Sequence, residues 1–84
     1  MELKGYAAKA LAEVRKGQLR EALKTITDAL TTATYCYSTH AAAALEILYD
    51  IKAALQATNT DALSEEEKKL VIDYIQHALA KILQ

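Results

Sequence analysis

Apolar residues recur along this chain at intervals of three and four, the spacing of helices with one buried face, and no stretch alternates with the strand period of two. Leu3, Ala7, Ala10 and Val14 form a first stripe, with Tyr6 and Leu11 beside it. Arg15, Lys16 and Gly17 follow as a helix stop. Cations suit the negative end of a helix, and glycine takes the left-handed conformation without a Cβ clash. Leu19, Leu23, Ile26, Leu30 and Ala33 form a second stripe, and a third apolar segment ends at the turn formers Thr58, Asn59, Thr60 and Asp61. Ser64 with Glu67 three residues on predicts a capping box, and Glu65, Glu66 and Glu67 suit the positive helix end. Leu70, Val71, Tyr74, Ile75, Ala78, Leu79 and Ile82 then build the apolar face of a last helix, with Tyr74 read as core.

These stripes predict helices over residues 2–16, 18–37, 40–57 and 64–83. Seventeen alanines and twelve leucines, with no proline, support an all-α fold. The middle of the chain admits two readings. Segments two and three are separate helices turning near Ser38 and Thr39, or one continuous helix. The second reading rests on Leu19, Leu23, Ile26, Leu30, Ala33, Tyr37, His40, Ala44, Ile47, Ile51 and Ala54 staying in one heptad phase. A helix of that length spans ~60 Å and needs a partner chain to bury it. Either way the expectation is one domain of 84 residues, a small bundle of three to four amphipathic helices completed by dimerisation.

Between Asp28 and Glu46 no side chain carries a formal charge, with His40 counted neutral. Thr27, Thr31, Thr34 and Ser38 form a small neutral strip beside the apolar one. A helix facing water normally shows a charged outer face, whereas charge depletion with tyrosine is the composition of an interface centre. Leu30, Ala33, Tyr35, Tyr37, His40, Ala41, Ala44, Ile47 and Leu48 are the predicted contact residues, with Ala41 to Ala44 letting a second backbone approach closely.

Catalytic material is thin: the chain has no glycine-rich phosphate loop and no nucleophile elbow. Cys36 is the single cysteine, which argues against a disulfide-stapled secreted protein and reads as a small buried apolar residue. Cys36 with His40 and Asp73 with His77 are each four apart, and the two pairs together have the ligand types of a tetrahedral zinc site. That metal-binding reading is the alternative to an interaction module. His40 as a phosphoacceptor is the weaker of the two chemical readings, because the heptad phase turns it inward.

Ten basic against eleven acidic side chains, interleaved along the chain, speak against nucleic acid as partner. No signal peptide and no span of ~20 apolar residues is present, so a cytoplasmic protein is expected, off the membrane and without a cofactor.

Two partial resemblances follow from particular residues. Gly17, Ala22, Ile26, Ala29 and Leu30 resemble the second half of a tetratricopeptide repeat, although the Trp-Leu-Gly pattern of the first half is missing. Lys16 and Gly17 before an amphipathic helix, then Leu48 to Ile51 and Leu55 to Asn59, resemble the later helices of the flagellin-export chaperones. That likeness implies a helical bundle that wraps a disordered segment, but the family's first helix has no counterpart here. Neither likeness assigns a family. The functional expectation is a small helical protein–protein interaction module, an adaptor, chaperone-like or regulatory protein and not an enzyme. It is expected to be a homodimer, with a helical or disordered protein segment as a second kind of partner.

Overall fold

Four α-helices are present in a computed structural model, which describes residues 3–33 and 39–84 and, within them, the side chains of all but residues 33 and 39–41. They are α1 (Leu3–Arg15), α2 (Leu19–Ala33), α3 (Thr39–Ala57) and α4 (Glu65–Leu83). The fold is all-α, as the three-and-four spacing predicts. The last four residues of the predicted second helix, and residues 1 and 2, lie outside the described residues.

The stop after α1 is built as its sequence implies. Gly17 has φ +79°. Its N–H donates to the Val14 carbonyl at 2.9 Å, and the Gln18 N–H donates to the Glu13 carbonyl at 2.9 Å. This is a Schellman motif, which satisfies carbonyls that the helix end leaves without partners. A Cβ at this position would find ordinary space, 3.5 Å from Lys68 Nζ. Gly17→Ala is therefore expected to cost about 1 kcal/mol through backbone strain alone. Urea unfolding checks this, and an unchanged midpoint would show that the left-handed turn is dispensable.

The start of α4 is equally local in origin. The Glu67 N–H donates to Ser64 Oγ, and the Ser64 N–H donates to Glu67 Oε1, both at 3.2 Å. The Ser64 backbone N–H, and after it the Ser64 side chain, hold the Glu67 carboxyl below its usual value of 4.5. A depressed carboxyl adds stability that is present above about pH 4.5 and lost as pH falls through the lower folded value. Ser64→Ala is expected to cost about 1 kcal/mol. In an NMR titration it should move the Glu67 midpoint only part of the way back, because the backbone donor remains.

α1 packs on α2, α2 on α3 and α3 on α4, and α4 closes on α1, so the helices ring one core. The connectors at residues 16–18 and 58–64 are short, which makes α1/α2 and α3/α4 antiparallel neighbours. Because α2 packs beside α3 and the longest dimension is 39 Å, the one-helix reading of the middle is excluded. The heptad phase that favoured it does not persist. α3 buries Leu48, Ile51 and Leu55, whereas Ile47 and Ala54, the predicted stripe positions, are half-buried. The inward face of α3 thus keeps Ile51 but turns toward Leu48 and Leu55, part of the way from one residue to the next, relative to the phase carried over from α2.

Alanines dominate the α1–α2 seam. Ala7, Ala10, Ala22 and Ala29 are all buried with Val14 and Ile26. Beside them Thr25, 3% exposed, donates its hydroxyl to Glu13 Oε1 at 2.5 Å, a charge-assisted bond tying α2 to α1. Nothing in the hydrophobic pattern announces that pair. Lys24 and Asp28, four residues apart on α2, form no ion pair. Among the described residues the one ion pair joins Arg20 to Asp61, and both of its side chains are largely exposed.

Candidate functional site

The two ends of the uncharged stretch that can be described behave alike. At the end of α2, Thr31 and Thr32 are exposed, and near the start of α3 so are Ala42 and Ala43. Thr27 donates its hydroxyl to the Leu23 carbonyl at 2.8 Å and Thr31 to the Thr27 carbonyl at 3.0 Å. The hydroxyls of Thr27 and Thr31 are thus turned back onto the helix backbone, whereas the Thr32 hydroxyl lies 3.4 Å from the Tyr6 hydroxyl. The exposed surface here carries no formal charge.

The predicted contact residues separate into three groups. Leu48 and Leu30, 0% and 5% exposed, are buried in the intrachain core. They occupy the inward positions that the rotated phase of α3 and the ring closure select. Tyr35 and Tyr37 lie outside the described residues, as do the side chains of Ala33, His40 and Ala41. Ala44 and Ile47 are half-buried and pack against the core edge.

Ile47 leads to a feature the pattern did not foresee. The α3–α4 seam is the most sparsely packed of the four, and a groove of about 400 Å³ opens along it. Ile47 and Ala78 provide its apolar lining, together with the ring of Tyr74. Asp50 stands on the α3 side, and Asp73, His77 and Lys81 stand on the α4 side. Tyr74 is 51% exposed and Leu70, one turn before it, is 71% exposed. The expectation that Tyr74 joins the core is overturned, and Leu70, expected on the apolar face, is outside the core too. The inward arc of α4 is filled by Ile75, Leu79 and Ile82, and its apolar face is wider than the arc its neighbours cover.

The metal reading finds only half of its ligands in the described part. His77 Nδ1–H donates to the backbone carbonyl of Asp73 at 2.8 Å, so the pair is joined through the main chain and the Asp73 carboxylate is not engaged. Cys36 and the side chain of His40 lie outside the described residues. Among the described residues no three His, Cys, Asp or Glu side chains converge on a point that would hold a metal ion. A second concavity, of about 430 Å³, lies at the other end of the seam between α1 and α4. There Arg15, Lys16, Lys68 and Lys69 surround Gly17, but Glu65 and Glu66 line the same walls and offset much of the charge.

Comparison with protein-family models, with curated proteins and with solved structures finds no match to this chain. Among the described residues no helix is long and apolar enough to cross a membrane.

Proposed function

We propose that this protein is a small helical protein–protein interaction module of the cytoplasm, self-associating and without catalytic chemistry of its own. Its contact surface is the α3–α4 side, where the groove at Ile47 and Tyr74 adjoins the neutral start of α3. The single observation that carries this reading is the half-exposed ring of Tyr74 at a groove that joins apolar Ile47 and Ala78 with charged Asp50, Asp73 and Lys81, in the loosest seam of the bundle. An amphipathic aromatic beside an unfilled apolar lining is the usual anatomy of a contact centre. The uncharged stretch from Ala29 to Leu45 extends the same character toward the end of α3 nearest Ile47.

Sedimentation velocity over a range reaching high micromolar concentrations tests this. The wild-type chain is expected to sediment faster as concentration rises. Tyr74→Glu, which places a charge on an exposed position and leaves the core intact, is expected to weaken association by at least about tenfold. A wild-type chain that stays monomeric throughout the range would overturn the reading.

A further inference from the structure

We infer that the outer face of α4 is the seat of a two-fold contact between copies of this chain, with the α4 helices crossing antiparallel at His77. This inference rests on the self-association reading above and adds the face and its register.

The argument begins with charge. Asp73, His77 and Lys81 lie four residues apart in turn, so they climb one exposed face of α4, with Asp73 and Lys81 about 12 Å apart along the axis. Asp50 lies across the groove from them on α3. Among the described residues Arg20 and Asp61 form the one ion pair, so Asp50, Asp73 and Lys81 carry charge without an opposite charge within 4 Å.

The face therefore holds an acid and a base placed symmetrically about His77. A second α4 laid antiparallel across His77 brings position 73 of each copy opposite position 81 of the other. Both ion pairs form at once, and the incoming lysine also faces Asp50 beyond the groove. An isologous contact needs a surface complementary to itself, and this spacing supplies it. A helix laid parallel in the same register would set Asp73 against Asp73 and Lys81 against Lys81.

The apolar surface agrees. Tyr74, at the groove mouth, is 51% exposed, and in this crossing it lies on the same flank as the incoming lysine of the opposite copy, whose aliphatic stem can cover the ring. The contact thus has an aromatic anchor on each side of its axis, with charge pairs at the rim, the arrangement in which truncating a few residues removes most of the affinity.

The test is a charge exchange in the full chain, read by sedimentation equilibrium, with circular dichroism confirming that each variant remains helical. Asp73→Lys sets lysine against lysine, and Lys81→Asp sets aspartate against aspartate. Each single change is expected to weaken dimerisation at least about tenfold. The double variant Asp73→Lys with Lys81→Asp reverses both pairs and is expected to recover wild-type affinity to within about threefold. Both substituted positions, 73 and 81, are exposed, so loss of folding is not the expected route to loss of association. A dimer indifferent to the single reversals, or one that the double exchange fails to restore, overturns this inference and leaves self-association standing through another face. A wild-type chain that never dimerises overturns both.

Discussion

Leu79→Ala is expected to lower the free energy of unfolding by about 2–5 kcal/mol. Leu79 is fully buried on α4 with Ile75 and Ile82, at the centre of the ring of helices. Truncation removes the transfer free energy of the lost methyl groups and leaves a cavity that four packed helices can only partly close. Domains of this kind hold together by about 5–15 kcal/mol, so the loss is a large share of the total. For a domain of this length each kcal/mol moves the melting point by about 4–8 °C, which predicts a fall of about 10 °C or more. Thermal and urea unfolding followed by circular dichroism provide the measurement. Leu70→Ala on the same helix is the contrast: Leu70 is 71% exposed, and its truncation should stay within about 0.5 kcal/mol. Comparable losses at the two leucines would mean that the inward arc of α4 has been misplaced.

The second large effect is one that local propensity does not suggest. Ala22→Leu replaces one good helix former with another and adds apolar surface, so helix preference alone predicts little change. Ala22 is nevertheless fully buried, with Ala7, Ala10 and Ala29, in the seam where α1 and α2 pack together. Three added carbons have no space there and must displace α1 or force strained rotamers. Overpacking of this kind typically costs 1–3 kcal/mol, and pushing helices apart also strains the Thr25–Glu13 bond between them. Urea unfolding of Ala22→Leu beside Ala12→Leu, an exposed position on α1, separates the two effects. Equal stability of both variants would show that the alanine seam is not closely packed.

These two experiments mark where reading the chain succeeds and where it stops. Elements held by neighbours in sequence were legible. The Gly17 stop, the Ser64–Glu67 box and the turn formers at Asn59 and Asp61 all rest on hydrogen bonds spanning a few residues, and residue type carries that information. The choice of inward face was legible only in part. α1 buries Ala7, Ala10 and Val14 as its stripe predicts, whereas α3 turns Leu48 and Leu55 inward in place of Ile47 and Ala54. Adjacent apolar residues on a helix are alternatives that differ by a rotation of about 100°, and the packing partners select between them.

The candidate surface was legible as chemistry and not as place. The uncharged stretch after Asp28 pointed to a contact region; of its described parts Thr31, Thr32, Ala42 and Ala43 are exposed, Ala44 and Leu45 half-buried, and Ala29 and Leu30 buried. Leu30 and Leu48 were assigned to that region and went to the core instead. Tyr74 was assigned to the core and stands at the groove mouth. The one trace of the groove in the sequence is the spacing of Asp73, His77 and Lys81, which keeps opposite charges on one helical face eight residues apart.

Helix type, the helix stops and caps, and the absence of charge across the middle follow from residue types and short spacings, because the forces behind them act within a turn or two of chain. Which helices become neighbours, which of two adjacent leucines or isoleucines is dry, and where a seam is left open depend on fitting four surfaces together at once. That fit is a property of side-chain volumes meeting between residues far apart in the chain, and no short window of the chain contains both partners.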